Sequence, residues 1–532
     1  MARPDSGVGA LPLRRRGHQL WPLIPGMNLS FLATRTVPRW FWPVLLGLNF
    51  LVHLPFFGLP PKGAHSWRQC NTMAVARNLY EEGMNPLRPR VDRRGASDGV
   101  TGMQFPAYEW AVAAGYQVLG FHESIPRVVN WLIFAAGLAT FYALARRLSG
   151  SGWAAAVGTW ALAWSPELFY HSINALPDVL ALSASIGGLY YFLRWYQAED
   201  AHPGSYALAL LLTTLAGLTK LQYLAIGAPI AVLILRDLWL RRLPWRRLPA
   251  LGLFAAVAVG VPLAWYARAV RLIKESGLAD FGLELRPADS LSTAVRILRE
   301  NLLSDLPELL VGFPGFVLLV VGLVALVRAG YVRRFWFLPM LAWAVVLLAY
   351  HLIELSQMDV HQYYMLPYLP LLMLTVALGA AWLQPRHRGA LWLALLLGLQ
   401  PVAAAIRVIP SRWGGGPREI PAELYYPESR AALETAVPND ALCLVGPDIS
   451  GCKYFYFLHK KGFGFGAPED LWNAKPDGST LLDSAVRNGA RYLYTNDSTA
   501  LGNARVRPYL GREIKRVGEF RVLELRRPLA TD

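Results

Sequence analysis

Apolar runs of about twenty residues recur along most of this chain, separated by short loops rich in arginine. That alternation constrains the fold more than any other feature. A segment in hydrocarbon must satisfy its own N–H and C=O groups, so each run is predicted to be a helix. About 20 residues suffice to cross the bilayer. Of 532 residues, 54% are hydrophobic, and runs this long and apolar mark a polytopic membrane protein. The 19 Trp and 23 Tyr suit the aromatic belts of a membrane interface. A formal charge of +16 would suit nucleic acid if it lay on one soluble surface. Here the arginines fall between apolar runs, the positive-inside pattern. That argues against a nucleic-acid partner and leaves the excess charge for membrane lipids.

Residues 1–38 read as a basic, cytoplasmic tail; Arg14, Arg15 and Arg16 look like an anchor, not a cleaved signal peptide. Residues 39–409 are predicted to hold about eleven spans, the first from Arg39 to Leu59. The run from Phe105 to Gly120 is short and interrupted by Glu109 and Gln117, so it reads as an interfacial or re-entrant helix. Spans then follow at 125–144, 153–170, 179–196, 206–218, 221–235, 251–266, 309–327, 335–355, 363–383 and 391–409. With this count the arginine-rich loops stay in the cytoplasm. The polar loop 60–124 and residues 410–532 come out on the other face. Trp413-Gly414-Gly415-Gly416-Pro417 reads as a linker. Beyond it, strands are predicted at 441–445 and 491–494, with one or two more within 516–525, and a helix at 481–488. The expected fold class is an α-helical polytopic membrane protein with a small C-terminal α/β soluble domain. Cys70, Cys443 and Cys452 make no disulfide framework, and a Cys443–Cys452 pair stays open.

Polar groups beside apolar spans are costly and need a reason. On this topology they collect at the outer face. His65, Arg68, Gln69, Asp92, Asp98, Gln104 and Glu109 lie in the first loop, and His171, Asn174 and Asp178 in a later turn. Lys220 sits at a short hairpin, and Asp359, His361, Tyr363 and Tyr364 precede another span.

The chain resembles the GT-C superfamily of polyprenyl-phosphate-sugar glycosyltransferases at these positions. It is most similar to the bacterial protein mannosyltransferase, aminoarabinose transferase and RgtA/B/C/D-like branch. The residues are Trp67-Arg68-Gln69, Ala74 to Gly83 with Arg77 and Asn78, and Gly102-Met-Gln-Phe-Pro106-Ala-Tyr108. Ser165-Pro166 with Pro177-Asp178, Gly217-Leu-Thr-Lys220 and His361-Gln-Tyr363-Tyr364-Met-Leu-Pro367 complete the set. The resemblance covers roughly residues 40–410. It implies a GT-C-like membrane domain and transfer of a sugar, hexosyl or pentosyl, from polyprenyl phosphate to a lipid, glycan or protein hydroxyl, with inversion. It also implies an enzyme of the bacterial inner membrane acting at the outer face. Such a site needs cations at the phosphate and a base at the acceptor, with little need of a strong acid. Arg68, Lys220, His361 and Tyr363 are the expected donor-phosphate ligands, and Gln69, Gln104 and Glu109 the expected substrate contacts.

One departure bears on the base. Relatives of this kind usually carry an acidic residue where Arg68-Gln69 stands, and often Glu where Gln104 stands. Asp92 is the favoured substitute, on flexible Gly95 and Gly99, then His65, with Asp178 and Glu109 behind. Structural alternatives remain for each. His65 could cap a loop helix, Arg68 bind lipid headgroups, Lys220 snorkel and Asp178 cap a span. Glu109 could lie on a wet helix face, and Tyr363 and Tyr364 belong to an aromatic belt. No cofactor is expected. A divalent metal on His65, Asp92, Asp359 and His361 is the minor alternative, since no ligand spacing is tight. The competing readings are a lipid-linked sugar transporter or flippase and an inactive scaffold of the same fold.

Overall fold

A computed structural model describes residues 37–197, 202–278, 285–328, 330, 336–383, 387–414, 420–474, 476 and 478–527. The basic tail with Arg14–Arg16, the loop arginines Arg333 and Arg334, and residues 415–419 of the linker lie outside the described residues. Every apolar run named above coincides with a helix. Five helices are long and apolar enough to cross a membrane: Ser124–Ser149, Leu221–Trp239, Trp245–Ser276, Gln362–Leu383 and Trp392–Trp413. Phe41–Phe56, Pro203–Thr219 and Phe337–Ile353 are shorter apolar helices. The run at 309–327 belongs to a bent pair, Leu291–Leu310 and Phe313–Arg328, turned by 114°. Pro307 lies in the π-helical part of the first limb, and Gly312, at φ 72°, makes the corner. By length and composition alone, five helices, or six if the bent pair is one span, are long enough to cross a membrane among the described residues, beside the three shorter apolar helices. Gly152–Ala163 and Asp178–Tyr196 are helices packed almost wholly inside the bundle.

Small residues bring the bundle helices close. A side chain at Gly379 would run into the backbone of Leu318 and Gly322, and one at Gly137 into Ser183. These are the close backbone crossings that small residues allow between membrane helices. The interfacial helix is also present, as Ala107–Leu119, with Tyr108, Glu109, Val112, Ala113 and Tyr116 buried. Ahead of it, helix Ser66–Glu82 is buried over nearly its whole length.

The C-terminal sheet is formed by β1 (Leu442–Val445), β2 (Lys461–Gly464), β3 (Tyr492–Thr495), β4 (Leu510–Val517) and β5 (Phe520–Leu525). Its order is β2-β1-β3-β5-β4. The first three strands are parallel, and β4–β5 is an antiparallel hairpin. Strand β2 and the start of β4 were not read from the sequence. Trp413 is not a loose linker residue. Its ring stacks on Phe56 at 4.3 Å and lies 5.2 Å from Tyr170, fixing the end of the last membrane helix.

The sheet unit is docked on the first loop. Arg77 donates to the Tyr456 carbonyl at 3.0 Å, Arg93 bridges to Gly462, and Lys461 meets Glu82 at 2.6 Å. His459 lies 2.8 Å from Glu81 and 2.9 Å from Glu434. Burial works against the His459 charge, but the two carboxylates outweigh it and raise its pKa above 6.5. A raised folded-state pKa gives stability that is complete below pH 6.5 and is lost as pH rises through the folded value. Thermal unfolding followed from about pH 6 to about pH 9 should show the full chain losing stability along that limb. His459→Gln should flatten it; an unchanged slope in that variant would remove the contact from the account.

Candidate active site

Helix Ser66–Glu82 starts abruptly. His65, at its N-cap, has a left-handed backbone with φ 57°, uncommon for a residue with a side chain. The first turn then aims Arg68 and Gln69 into the bundle, where they are 6% and 0% exposed. Gln69 donates to the Lys62 carbonyl at 3.2 Å and to the Tyr170 hydroxyl at 3.4 Å. Arg68 donates to Gln104 Oε1 at 2.8 Å, and Gln104 donates in turn to Glu109 Oε1 at 3.2 Å. Glu109 is 1% exposed, so it is not on a wet helix face. Burial pushes its pKa up to about 7, against the pull of Arg68, Gln104 and Lys220.

Lys220 marks a break between helices. It has an extended backbone after Pro203–Thr219 and before the 3-10 turn Leu221–Ile226. The Phe105 N–H donates to the Leu218 carbonyl at 3.0 Å, tying this break to the Gln104 segment. The Lys220 ammonium lies 3.1 Å from Asp178 Oδ1 and about equally far, 4.9 and 5.0 Å, from the ring centres of Tyr363 and Tyr364. A carboxylate and two aromatic faces are what a cation needs away from water. The contact with Asp178 is ionic and off the hydrogen-bonding line, and neither Asp178 oxygen has a hydrogen-bond partner among the described residues. Asp178 does not cap its helix; Pro177 occupies that position, with no side-chain capping bond.

A second cluster lies beyond the Tyr363 ring. Ser165 and Pro166 end one helix and start the short helix Pro166–His171, whose Glu167 and His171 are one turn apart. Glu167 Oε1 is 3.0 Å from His171 Nε2, and Glu167 Oε2 is 3.6 Å from the Arg412 guanidinium. The His65 ring lies 6.1 Å from His171, 5.2 Å from His361 and 4.8 Å from Tyr363, centre to centre. Burial, with Lys220 nearby, lowers the His361 pKa to about 4. Burial and the neighbouring His171 hold His65 well below 6.5. Both shifts favour the neutral ring, the form that accepts a proton or ligates a metal. The ligand atoms of His65, Glu167 and His171 all lie within 4.8 Å of one another.

The structure thus brings together nine of the ten expected residues: His65, Arg68, Gln69, Gln104, Glu109, Asp178, Lys220, His361 and Tyr363. Asp92 is elsewhere. It accepts from Arg77 at 2.9 Å and Asn78 at 2.8 Å, in the seam beneath the sheet. Arg77 is nine residues past Arg68 on the same helix, about 13 Å along its axis. Flexible Gly95 and Gly99 do not fold Asp92 back over the pocket, because its carboxylate and its backbone carbonyl, which accepts from Gly462, are both engaged. Asp98 and Asp359 are paired with Arg88 and Arg296, so the metal set that included Asp92 and Asp359 does not form. Glu167 and Arg412 were not singled out. The Ser-Pro break with an acid and a His four residues apart is the signal that finds Glu167.

Asp92→Asn should therefore cost stability rather than chemistry. It leaves Arg77 buried without its counter-charge, a change worth about 3–5 kcal/mol. Replacing both partners with Arg77→Met and Asp92→Leu should recover most of the loss. Thermal unfolding of the three proteins checks this. A folded, equally stable Asp92→Asn protein with no activity would return Asp92 to the reaction.

Residues 104–266 match the family described as dolichyl-phosphate-mannose-protein mannosyltransferase. No curated protein matches the chain by sequence. Among solved structures, ArnT from Cupriavidus metallidurans bound to undecaprenyl phosphate is similar with a TM-score of 0.64 and 16% identity, over 93% of this chain and 99% of that one. The Archaeoglobus fulgidus oligosaccharyltransferase AglB, in complex with an inhibitory peptide and a dolichol-phosphate, gives 0.53 and 12%, over 86% and 69%. The same oligosaccharyltransferase in complex with Zn and sulfate gives 0.50 and 16%, over 85% and 67%. The resemblance read from the motifs is borne out: the chain shares the fold of ArnT and AglB, and residues 104–266, in its first half, carry the mannosyltransferase family pattern.

Proposed function

We propose that the protein is an integral-membrane glycosyltransferase that moves a sugar from a polyprenyl-phosphate donor to an acceptor hydroxyl, with inversion, at the outer face of the membrane. The observation that carries this is a cluster of buried polar side chains with two poles. Lys220 and Arg68 form a cationic pole. His65, Glu167 and His171 form the other, one Tyr363 ring away. In-line displacement needs leaving group and nucleophile on opposite sides of the anomeric carbon, and the two groups, on either side of Tyr363, would serve one each. That the two relatives above were solved with undecaprenyl phosphate and dolichol-phosphate supports a lipid phosphate at the cationic pole.

The steps follow from this arrangement. Lys220, held by Asp178 and the two tyrosines, meets the donor phosphate, with Arg68 beside it on Gln104. The acceptor oxygen bonds to the anomeric carbon as the carbon–phosphate oxygen bond breaks, and the electron pair leaves on the phosphate. Charge growing there is met by cations already in position, the preorganisation that lowers such barriers. The acceptor's proton passes to the His65–Glu167–His171 wall; Asp178 lies at the phosphate pole, on the wrong side for it. Glu109 fixes Gln104 and through it Arg68, a positioning role. Gathering of the polar groups at one end of the bundle, under the sheet unit, supports surface chemistry over transport, which would need midplane sites in two related halves.

Single-turnover transfer from a panel of polyprenyl-phosphate sugars, hexosyl and pentosyl, tests the reading and identifies the donor. Lys220→Ala should lower transfer by about 100-fold or more, the scale of a lost transition-state contact, and Lys220→Arg by less. The double change Lys220→Met with Asp178→Asn removes both charges without stranding either, and should fold yet stay inactive. Full transfer by the double variant would overturn the phosphate assignment. Absence of transfer by the wild-type protein with every donor would overturn the enzyme reading.

A further inference from the structure

We infer that His65, Glu167 and His171 form a binding site for one divalent transition-metal ion, beside the Tyr363 ring. Their ligand atoms lie within 4.8 Å of one another. Zinc–nitrogen and zinc–oxygen bonds of about 2.0–2.2 Å put tetrahedral ligands roughly 3.4 Å apart, so modest side-chain rotation closes the set. Two imidazoles and one carboxylate, with a fourth position free, are the donor pattern of open zinc sites.

Three further observations point to an ion. First, His65 Nε2 is buried with no hydrogen-bond partner among the described residues, an expensive state for a polar atom. Second, that ring is delivered by a left-handed residue, φ 57°, and strain of this kind persists where the surroundings impose it. A Glu167–His171 pair acting alone would explain neither. Third, the Glu167 carboxylate is divided between partners, with Oε1 turned to His171 and Oε2 to Arg412. An outer cation on one oxygen leaves the other to an ion and fixes its direction.

The site also answers the departure at the first loop. Where relatives are expected to hold an acid, this chain has Arg68-Gln69, and the first-loop carboxylate at the site, Glu109, is turned to Gln104 on the Arg68 side. An ion held by His65, Glu167 and His171 would polarise an acceptor hydroxyl and lower its pKa, taking over the proton-accepting part that these three side chains play only while uncoordinated. That role rests on the transfer reading; the binding itself does not.

The test reads binding directly. The full chain, purified into nanodiscs of phosphatidylethanolamine and phosphatidylglycerol, is stripped with a chelator and titrated with Zn²⁺ and Co²⁺. We expect one ion per chain, and for Co²⁺ the visible absorption of a four-coordinate N/O site. Glu167→Gln, His171→Ala and His65→Ala should each weaken binding by about tenfold or more. His459→Ala, whose histidine lies in the distant seam, should not. Thermal unfolding identifies any variant that fails to fold, and His171→Gln then replaces His171→Ala. No stoichiometric ion on the wild-type protein, or binding indifferent to all three substitutions (an adventitious ion only), overturns the inference. Because no sugar donor enters the experiment, either result leaves the Lys220 assignment to its own assay.

Discussion

A cation inside an apolar bundle must be paired, and the pocket is arranged around that requirement at Lys220. Its ammonium is 3.1 Å from Asp178 and faces two tyrosine rings. Three separate pieces of chain must therefore meet at one point: the start of Asp178–Tyr196, the break after Pro203–Thr219 and the turn Gln362–Tyr368. A buried pair of this kind adds little net stability, because desolvation offsets attraction. Its retention makes sense as a preorganised charge held for a ligand that brings its own negative charge. The Arg68–Gln104–Glu109 chain repeats the logic with hydrogen bonds, and Glu109, raised to about 7, shows what burial costs a carboxylate whose cation is one residue removed.

Much of this was legible from the residues alone. Apolar runs specify helices because hydrocarbon permits little else, and each run is helical. A polar group beside such a run is conspicuous by its cost, which is how Lys220, Asp178, Arg68 and Glu109 were found. The shortfall has physical causes too. Glu167 lies within an apolar run, and only the Pro166 break frees it from the helix before. Asp92 looked mobile between glycines, but its partner Arg77 is distant by the path through the loop and close in space. Strand β2, Lys461-Gly-Phe-Gly, has little intrinsic strand preference and is held by pairing with β1. Full spans are harder to count, since helices packed in the bundle can be short, as Gly152–Ala163 is.

The sheet unit and the pocket share one helix. Ser66–Glu82 carries Arg68 into the site at one end, while Arg77, Glu81 and Glu82 grip the sheet further along. Anything that shifts the sheet therefore pulls on the helix that presents Arg68. Asp92 belongs to this mechanical role: it neutralises Arg77 in the seam and holds Gly462 through its carbonyl.

The central claim is that phosphate and acceptor occupy opposite walls of one pocket. A cryo-electron microscopy structure of the protein with undecaprenyl phosphate tests it most directly. The account requires phosphate oxygens at hydrogen-bonding distance, about 3 Å, from the Lys220 ammonium and the Arg68 guanidinium, with the His65–Glu167–His171 wall left clear of phosphate. A phosphate seated instead on Arg412 beside Glu167 would reverse the two poles and contradict the account.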